Sequence, residues 1–164
     1  AGLGITLSFV AACNTVVFPL LCKQAGDADR ARLFRQSFVL GLVLLAPVVA
    51  AQALLAPVYV PLVFGAEWID AAPYIALLSL AALPLYAGSL IGAWLRARQR
   101  PFVETRLALA ATITGLAGLA AGSTHSLAAA CTAYAAGLAL VMLPAAIAHL
   151  FASTLQSNPT PGEA

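Results

Sequence analysis

The sequence predicts an all-α integral membrane fold, a bundle of about five transmembrane helices. Of its 164 residues, 62% are hydrophobic and 9% are charged, and the mean hydropathy is +0.96. A soluble domain carries about 25% charged residues, so this much apolar surface requires lipid as its solvent. The apolar runs are about 20 residues long, the length of a membrane-spanning helix. None of them alternates with a period of two, which argues against the strands of a lipid-facing barrel.

The helix boundaries follow from the apolar runs and from the residues between them. The predicted helices cover about 1–22, 36–60, 72–95, 106–122 and 126–151, and they form a bundle over residues 1–152. Gly26 is predicted to end the first helix and Asp27 to cap the second, since an Asp oxygen accepts the free N–H groups of a first turn. Pro57 and Pro61 are predicted to end or bend the second helix, because proline lacks an N–H donor.

The remaining elements carry weaker signals. Pro84 lies inside the third helix and should kink it. Trp68 precedes that helix beside Glu67 and Asp70, a pattern typical of an aromatic residue at the membrane interface. The fourth and fifth helices are predicted from their apolar runs alone. The segment 153–164 is rich in Ser, Thr, Pro and Gly, which predicts a disordered cytoplasmic tail.

Basic residues are segregated into two of the four loops, and this bias predicts the orientation. The first loop and the third loop hold all eight of them: Lys23, Arg30, Arg32, Arg35, Arg96, Arg98, Arg100 and Arg106. Since Lys and Arg mark cytoplasmic loops, both loops are predicted to be cytoplasmic. The chain is then a multi-pass membrane protein with its C-terminus in the cytoplasm.

The sequence contains no arrangement typical of a catalytic or metal site. It has no nucleophile beside a base, no glycine-rich phosphate loop and no metal-spaced ligands. Cys13, Cys22 and Cys131 are read as small apolar residues. We therefore expect no enzymatic activity, no metal and no cofactor. Because the cations flank apolar runs, we expect the bilayer rather than nucleic acid as a partner.

Two groups of residues are candidates for function. Asn14, Gln52 and Tyr86 lie within predicted spans, where they either hydrogen-bond between helices or line a polar cavity. The arginines of the basic loops either anchor the topology or bind an anionic head group, because a guanidinium donates to two phosphate oxygens at once. The arginines concerned are Arg30, Arg32, Arg35, Arg96, Arg98 and Arg100.

Two stretches resemble bacterial polysaccharide flippases, a branch of the multidrug/oligosaccharidyl-lipid/polysaccharide exporter superfamily. The Phe-Pro-Leu-Leu turn at 18–21, the Gly-Asp pair at 26–27 and the basic stretch 30–35 are similar to the end of that family's eighth helix. The stretch 60–72, with Gly65 and Trp68, is similar to a signature between its ninth and tenth helices. The resemblance covers residues 1 to about 105, and the last two helices match in hydropathy only.

The resemblance implies a fold, a substrate and a partner. The chain would be most of the C-terminal lobe of a two-lobed transporter, and the N-terminal lobe of the parent protein would be its partner. The family moves undecaprenyl-pyrophosphate-linked oligosaccharide across the inner membrane for polysaccharide, O-antigen or exopolysaccharide synthesis. Numbering the helices eighth to twelfth agrees with the orientation that the charges predict. One departure is that the apolar runs of the predicted spans, the fourth of which starts at Leu107, contain no cation to meet a pyrophosphate.

Two alternatives remain at the level of sequence. The first is a drug/cation antiporter of the same superfamily, which would need a titratable coupling residue at membrane depth. The second is a membrane scaffold subunit that transports nothing. The apolar runs of the predicted spans, with the fourth starting at Leu107, contain no Asp, Glu, Lys or Arg, so an antiporter would hold its coupling residue elsewhere.

Overall fold

The computed structural model describes residues 2–157, and this part of the chain is helical almost throughout. Short loops join consecutive helices, so the chain passes back and forth through one bundle. Its elements, in order, are α1 (Gly2–Lys23), α2 (Asp27–Phe64), a 3₁₀ helix (Ala66–Ala71), α3 (Ala72–Leu80), α4 (Ala82–Ala97), α5 (Pro101–Ser123) and α6 (Leu127–Ser157).

The predicted fold class, an all-α membrane bundle, is confirmed. Four helical stretches are long and apolar enough to cross a membrane, namely Asp27–Phe64, Ala66–Ala97, Pro101–Ser123 and Leu127–Phe151. Within α1, Val10–Lys23 is a shorter apolar helix. The chain is accordingly a multi-pass membrane protein, and the first of the five predicted spans stays a prediction.

Helix α2 is longer than the sequence predicts at both of its ends. It begins at Asp27, and its N-cap is Gly26, so the prediction that Asp27 is the cap is wrong. Of the two roles predicted for Pro57 and Pro61, ending the helix is wrong, because both lie inside it and it continues to Phe64. A bend at these prolines stays a prediction. At about 1.5 Å per residue its 38 residues span about 57 Å. A bilayer with its head groups is about 40–45 Å thick, so the ends of α2 extend beyond the hydrocarbon.

The third predicted helix is interrupted at Ala81, three residues before Pro84, where the sequence predicts a kink. Helix α3 ends at Leu80 and α4 begins at Ala82. The proline has no N–H to donate to the carbonyl four residues earlier, which is that of Leu80, and its ring crowds that carbonyl. At Ala81 the backbone N–H instead bonds the Leu78 carbonyl at 3.1 Å, one tight turn that separates the two helices.

The last two helices also differ from their predicted bounds. Helix α5 begins at Pro101 rather than near residue 106, because proline at a first helical position loses no hydrogen bond. Helix α6 continues to Ser157, into the segment predicted as a disordered tail. The rest of that segment, 158–164, lies outside the described residues.

The two basic loops lie at one end of the bundle, hereafter the cationic end. Here α1 and α4 end while α2 and α5 begin. A buried aromatic cluster joins α2 to α4 just inside this end: the ring centroids of Phe34 and Trp94 are 4.8 Å apart, and those of Phe38 and Tyr86 are 6.1 Å apart. All four side chains are buried. This packing holds the first loop against the third.

Helices α5 and α6 form a tight hairpin whose contact is made by glycines. A Cβ atom built on Gly122 would lie 2.5 Å from the carbonyl oxygen of Ala129, and one built on Gly118 would overlap the carbonyl of Ala133. Lipid offers no hydrophobic drive for helix association, so close backbone approach supplies the contact. Both G-x-x-x-G matches of the sequence, which start at Gly88 and Gly118, therefore serve packing within the chain.

We expect Gly122→Ala to destabilise the hairpin, because its methyl group meets backbone atoms that cannot move aside. Overpacking of this kind costs about 1–3 kcal/mol. The measurement is thermal unfolding in detergent, and the midpoint temperature should be lower for this variant than for the wild type. Ala117→Val adds bulk on the exposed face of α5 and is the control. Equal midpoints for the two variants would contradict the assignment.

Candidate functional site

A cleft of about 330 Å³ opens at the cationic end, where the two basic loops meet. Its residues come from the start of α2 and from the turn between α4 and α5. We call it the cationic cleft, and its lining is Asp27, Arg30, Ala97, Arg98, Gln99 and Arg100. Three arginines and one carboxylate give it a local charge of +2, so an anion is the ligand that it favours.

Arg30 is held by backbone groups at the end of α1. Its Nε donates to the Leu21 carbonyl at 3.2 Å, and its Nη2 donates to the Gln24 carbonyl at 2.6 Å. Its Nη1 forms an ion pair with Asp27 at 2.9 Å. The last carbonyls of a helix have no partner inside the helix, and Arg30 supplies one. All three nitrogens of this guanidinium therefore have a partner within the protein, and fewer of its N–H groups remain for a ligand.

Asp27 lies between two arginines from different loops. Besides Arg30, its second carboxylate oxygen lies 4.0 Å from Nη2 of Arg98. The guanidinium of Arg98 also lies over the ring of Trp94, 5.3 Å from its centroid, a cation–π contact. Asp27 is therefore an electrostatic link between the first loop and the third.

Arg96 faces away from the cleft lining. Its Nε lies 3.5 Å from a carboxylate oxygen of Glu104, and its guanidinium lies over the ring of Phe18 at 5.4 Å. Glu104 in turn packs against Gly92, so α1, α4 and α5 meet at this point. The contacts of Arg96 are those of a residue that holds helices together.

The turn between α4 and α5 has a demanding backbone. The Arg100 N–H bonds the Leu95 carbonyl and the Gln99 N–H bonds the Arg96 carbonyl, both at 2.9 Å, as in a Schellman motif. This motif needs a residue with a left-handed backbone conformation just after the helix, and Gln99 adopts that conformation, with φ of 57°. Glycine is the usual residue there. The turn presents Arg98 and Arg100 to the cleft on either side of Gln99.

Two helix N-termini also lie at the cleft. Neither α2, which begins at Asp27, nor α5, which begins at Pro101, has a side-chain cap among the described residues. Free N–H groups and the helix dipole favour an anion at such positions. They add to the positive potential of the arginines.

The remaining predicted arginines lie outside the cleft lining. Arg32 and Arg35 are exposed on α2, beyond its first turn. Within residues 10–151, neither forms an ion pair or a hydrogen bond. The six candidate arginines thus separate into the cleft group, the exposed pair on α2 and Arg96.

The three polar candidates of the predicted spans, Asn14, Gln52 and Tyr86, do not line one common cavity among the described residues. Tyr86 is buried on α4, its hydroxyl donates to the Ser37 carbonyl at 2.8 Å, and it packs against Gly41. Asn14 lies on the packed face of α1, and its Oδ1 is buried with no hydrogen-bond partner among the described residues. Gln52 is half-buried on α2. For Tyr86 the structure shows the interhelical hydrogen bond, one of the two roles that the sequence left open.

Sequence reasoning did not identify Asp27, Gln99 or Glu104 as parts of this site. The only signal for Asp27 was its place at a helix start, which was read as a cap. Gln99 and Glu104 lie within a basic run and show no local pattern of their own. Within the described part of the chain, no three His, Cys, Asp or Glu residues are grouped to hold a metal ion.

Comparison of the chain with protein-family models, with curated proteins and with solved structures finds no match.

We expect Arg30→Gln to destabilise the fold by about 2 kcal/mol, because two backbone carbonyls and Asp27 lose a charged donor. Arg32→Gln removes the same charge from an exposed position and should change stability by less than about 0.5 kcal/mol. Thermal unfolding in detergent distinguishes the two. Similar losses in both variants would show that Arg30 has no special structural role.

Gln99→Gly should stabilise the turn by about 0.5 kcal/mol. It removes the cost of a left-handed backbone at a residue with a Cβ atom, and the greater freedom of glycine in the unfolded chain offsets part of the gain. Gln99→Val should destabilise, since a branched side chain is a poor left-handed residue. The unfolding midpoint should be lowest for the Val variant, intermediate for the wild type with Gln, and highest for the Gly variant. The reverse order would contradict the turn geometry.

Proposed function

We propose that this chain is part of a bacterial inner-membrane flippase that moves an undecaprenyl-pyrophosphate-linked oligosaccharide to the outer leaflet for polysaccharide synthesis. In this proposal the cationic end faces the cytoplasm, and the role is transport rather than catalysis. The observation that carries the proposal is the cationic cleft, which adjoins an apolar bundle. A lipid with an anionic head group and a long hydrocarbon chain fits both, since its head group suits the cationic cleft and its chain suits the apolar surroundings.

The chemistry of the cleft favours a phosphate-bearing head group. Arg98 and Arg100 flank one strained turn, and a guanidinium can give two parallel N–H groups to one phosphate. In this proposal Arg30 keeps its bonds to the Leu21 and Gln24 carbonyls. Because it lines the cleft, its charge would lie closer to a bound head group than the charges of Arg32 and Arg35. The uncapped starts of α2 and α5 add backbone N–H groups. A pyrophosphate would meet these donors together, which a single loop could not provide.

The location of the cleft is suited to binding the substrate before transport, not to its movement across the membrane. It lies at the end of the bundle, outside the apolar spans, so it would gather substrate at the cytoplasmic surface. This accounts for the absence of cations within the apolar runs of the predicted spans. In the proposal, the N-terminal lobe of the parent protein supplies the other wall of the central path.

The test is a flipping assay in proteoliposomes with the protein as its gene encodes it. The probe is a fluorescent undecaprenyl-pyrophosphate oligosaccharide, and the rate at which it becomes accessible to an external quencher is measured. We expect the double variant Arg98→Gln/Arg100→Gln to lower the rate at sub-saturating probe by about tenfold or more, because each charged hydrogen bond contributes about 1.5–3 kcal/mol.

The control is Arg32→Gln/Arg106→Gln, which removes two cations from exposed positions outside the cleft lining. It should retain most of the wild-type rate. Protein amount and unfolding midpoint are matched between the vesicles. No flipping by the wild-type protein would refute the proposed function. Equal rates for the two double variants would refute the role of the cleft.

A further inference from the structure

Among the described residues that line the cationic cleft, Asp27 alone carries a negative charge, and its two contacts are unequal. Its Oδ1 lies 2.9 Å from Nη1 of Arg30, a charged hydrogen bond. Its Oδ2 lies 4.0 Å from Nη2 of Arg98, which is beyond hydrogen-bond distance. Asp27 is thus bonded to Arg30, whereas Arg98 attracts it only through charge.

The contact with Arg30 is the fixed one of the two. The Arg30 side chain is 17% exposed, and its other two nitrogens bond the Leu21 and Gln24 carbonyls. Turning this guanidinium toward a new anion would leave those carbonyls, and Asp27, without their donor. A ligand in the cleft therefore leaves the pair of Arg30 and Asp27 in place.

The contact with Arg98 is the one that a ligand can exchange. The side chain of Asp27 is 63% exposed, and an ion pair in such a position is weakened by water and salt. Arg98 is also held independently of Asp27, because its guanidinium lies 5.3 Å from the centroid of the buried Trp94 ring. A phosphate oxygen at hydrogen-bond distance would bind Arg98 more strongly than a carboxylate 4.0 Å away does.

A ligand bound in the cleft would compete directly with Asp27. Arg98 and Arg100 lie on either side of Gln99, and they line the same cleft of about 330 Å³ as Asp27. A phosphate placed between the two arginines would come close to the Asp27 carboxylate, and like charges repel most strongly at short range. The contact of Arg98 with Asp27 and a contact of Arg98 with phosphate therefore oppose one another.

We propose that Asp27 occupies Arg98 as an internal anion until the phosphates of a ligand replace it, while Arg30 retains the Asp27 carboxylate. This inference rests on the proposed function and describes how its substrate is bound. Because the contact of Asp27 with Arg98 joins the first loop to the third, ligand binding removes one link between the two loops. The packing of Phe34 on Trp94 is the link that remains.

The test is equilibrium binding of the fluorescent undecaprenyl-pyrophosphate oligosaccharide to the full-length protein in detergent, measured by fluorescence anisotropy. We expect Asp27→Asn to raise the affinity about fivefold, because the ligand no longer competes with an exposed ion pair. The matched control is Asp29→Asn, which removes the same charge from the same helical turn at an exposed position outside the cleft lining. It should change the affinity by less than about twofold, since water and salt screen its charge.

A double-mutant cycle shows whether Asp27 acts through Arg98. In an Arg98→Gln background, Asp27→Asn should raise the affinity by less than about twofold, because no guanidinium is left to release. A rise that persists in full in this background would overturn the proposal, since Asp27 would then act by general repulsion. Equal effects of Asp27→Asn and Asp29→Asn would overturn it as well.

A second variant at the same position serves if Asp27→Asn fails to fold. Asp27→Glu keeps the charge, and its longer side chain can close the 4.0 Å gap to Arg98. It should therefore lower the affinity, and a higher affinity would contradict the proposal.

A second probe, inorganic pyrophosphate, carries the phosphates without the lipid. Asp27→Asn should raise its affinity by a similar factor, because the exchange at Arg98 involves the phosphates alone. A rise confined to the lipid probe would contradict the exchange. Binding and transport fail separately. If these effects appear and the wild type does not flip the lipid, the exchange stands without the transport function. If the wild type flips the lipid and Asp27→Asn binds it no tighter, the exchange is wrong.

Discussion

The structure depends on one constraint, that a backbone polar group inside hydrocarbon must be bonded within the protein. A proline inside a helix leaves one carbonyl without its backbone partner, whereas a helix end leaves about four. Helix α2, which continues through three prolines, therefore leaves fewer groups unbonded than a helix that ended at the first of them. Helix ends also leave carbonyls free, and at the cationic end the guanidinium of Arg30 bonds the carbonyl of Leu21, in the last turn of α1, and that of Gln24, just after the helix. One arginine thus ends one helix and, through Asp27, fixes the start of the next.

The arrangement of charge follows from this end-capping. Asp27 links Arg30 to Arg98, and Trp94 packs on Phe34 just below, so two loops that are far apart in sequence share one surface. The same contacts that stabilise the bundle leave Arg98 and Arg100 beside a cleft. Neighbouring arginines therefore differ in their surroundings: Arg30 and Arg96 bond to other parts of the bundle, whereas Arg98 and Arg100 line the cleft on either side of Gln99.

Packing inside the bundle relies on small residues, since lipid gives apolar side chains no reason to leave it. Where glycines allow contact between backbones, as in the α5–α6 hairpin, two helices behave as one unit. Helix α6 also packs on α2 and α4, as the burial of Ala146 among their side chains shows, but its small residues leave an apolar groove beside this contact. The difference between a closed seam and an open groove is thus set by what lies across from each small residue.

The sequence by itself determined the all-α class, the approximate positions of the apolar helices and an irregularity near Pro84, because hydropathy and proline act locally. It also separated the charged ends from the apolar spans. Only the tertiary structure decided that α2 passes through Pro57 and Pro61, that Arg30 and Arg96 are occupied by partners, and that Tyr86 bonds Ser37. These outcomes depend on which helix faces which, and no local pattern records the identity of a neighbour across the bundle.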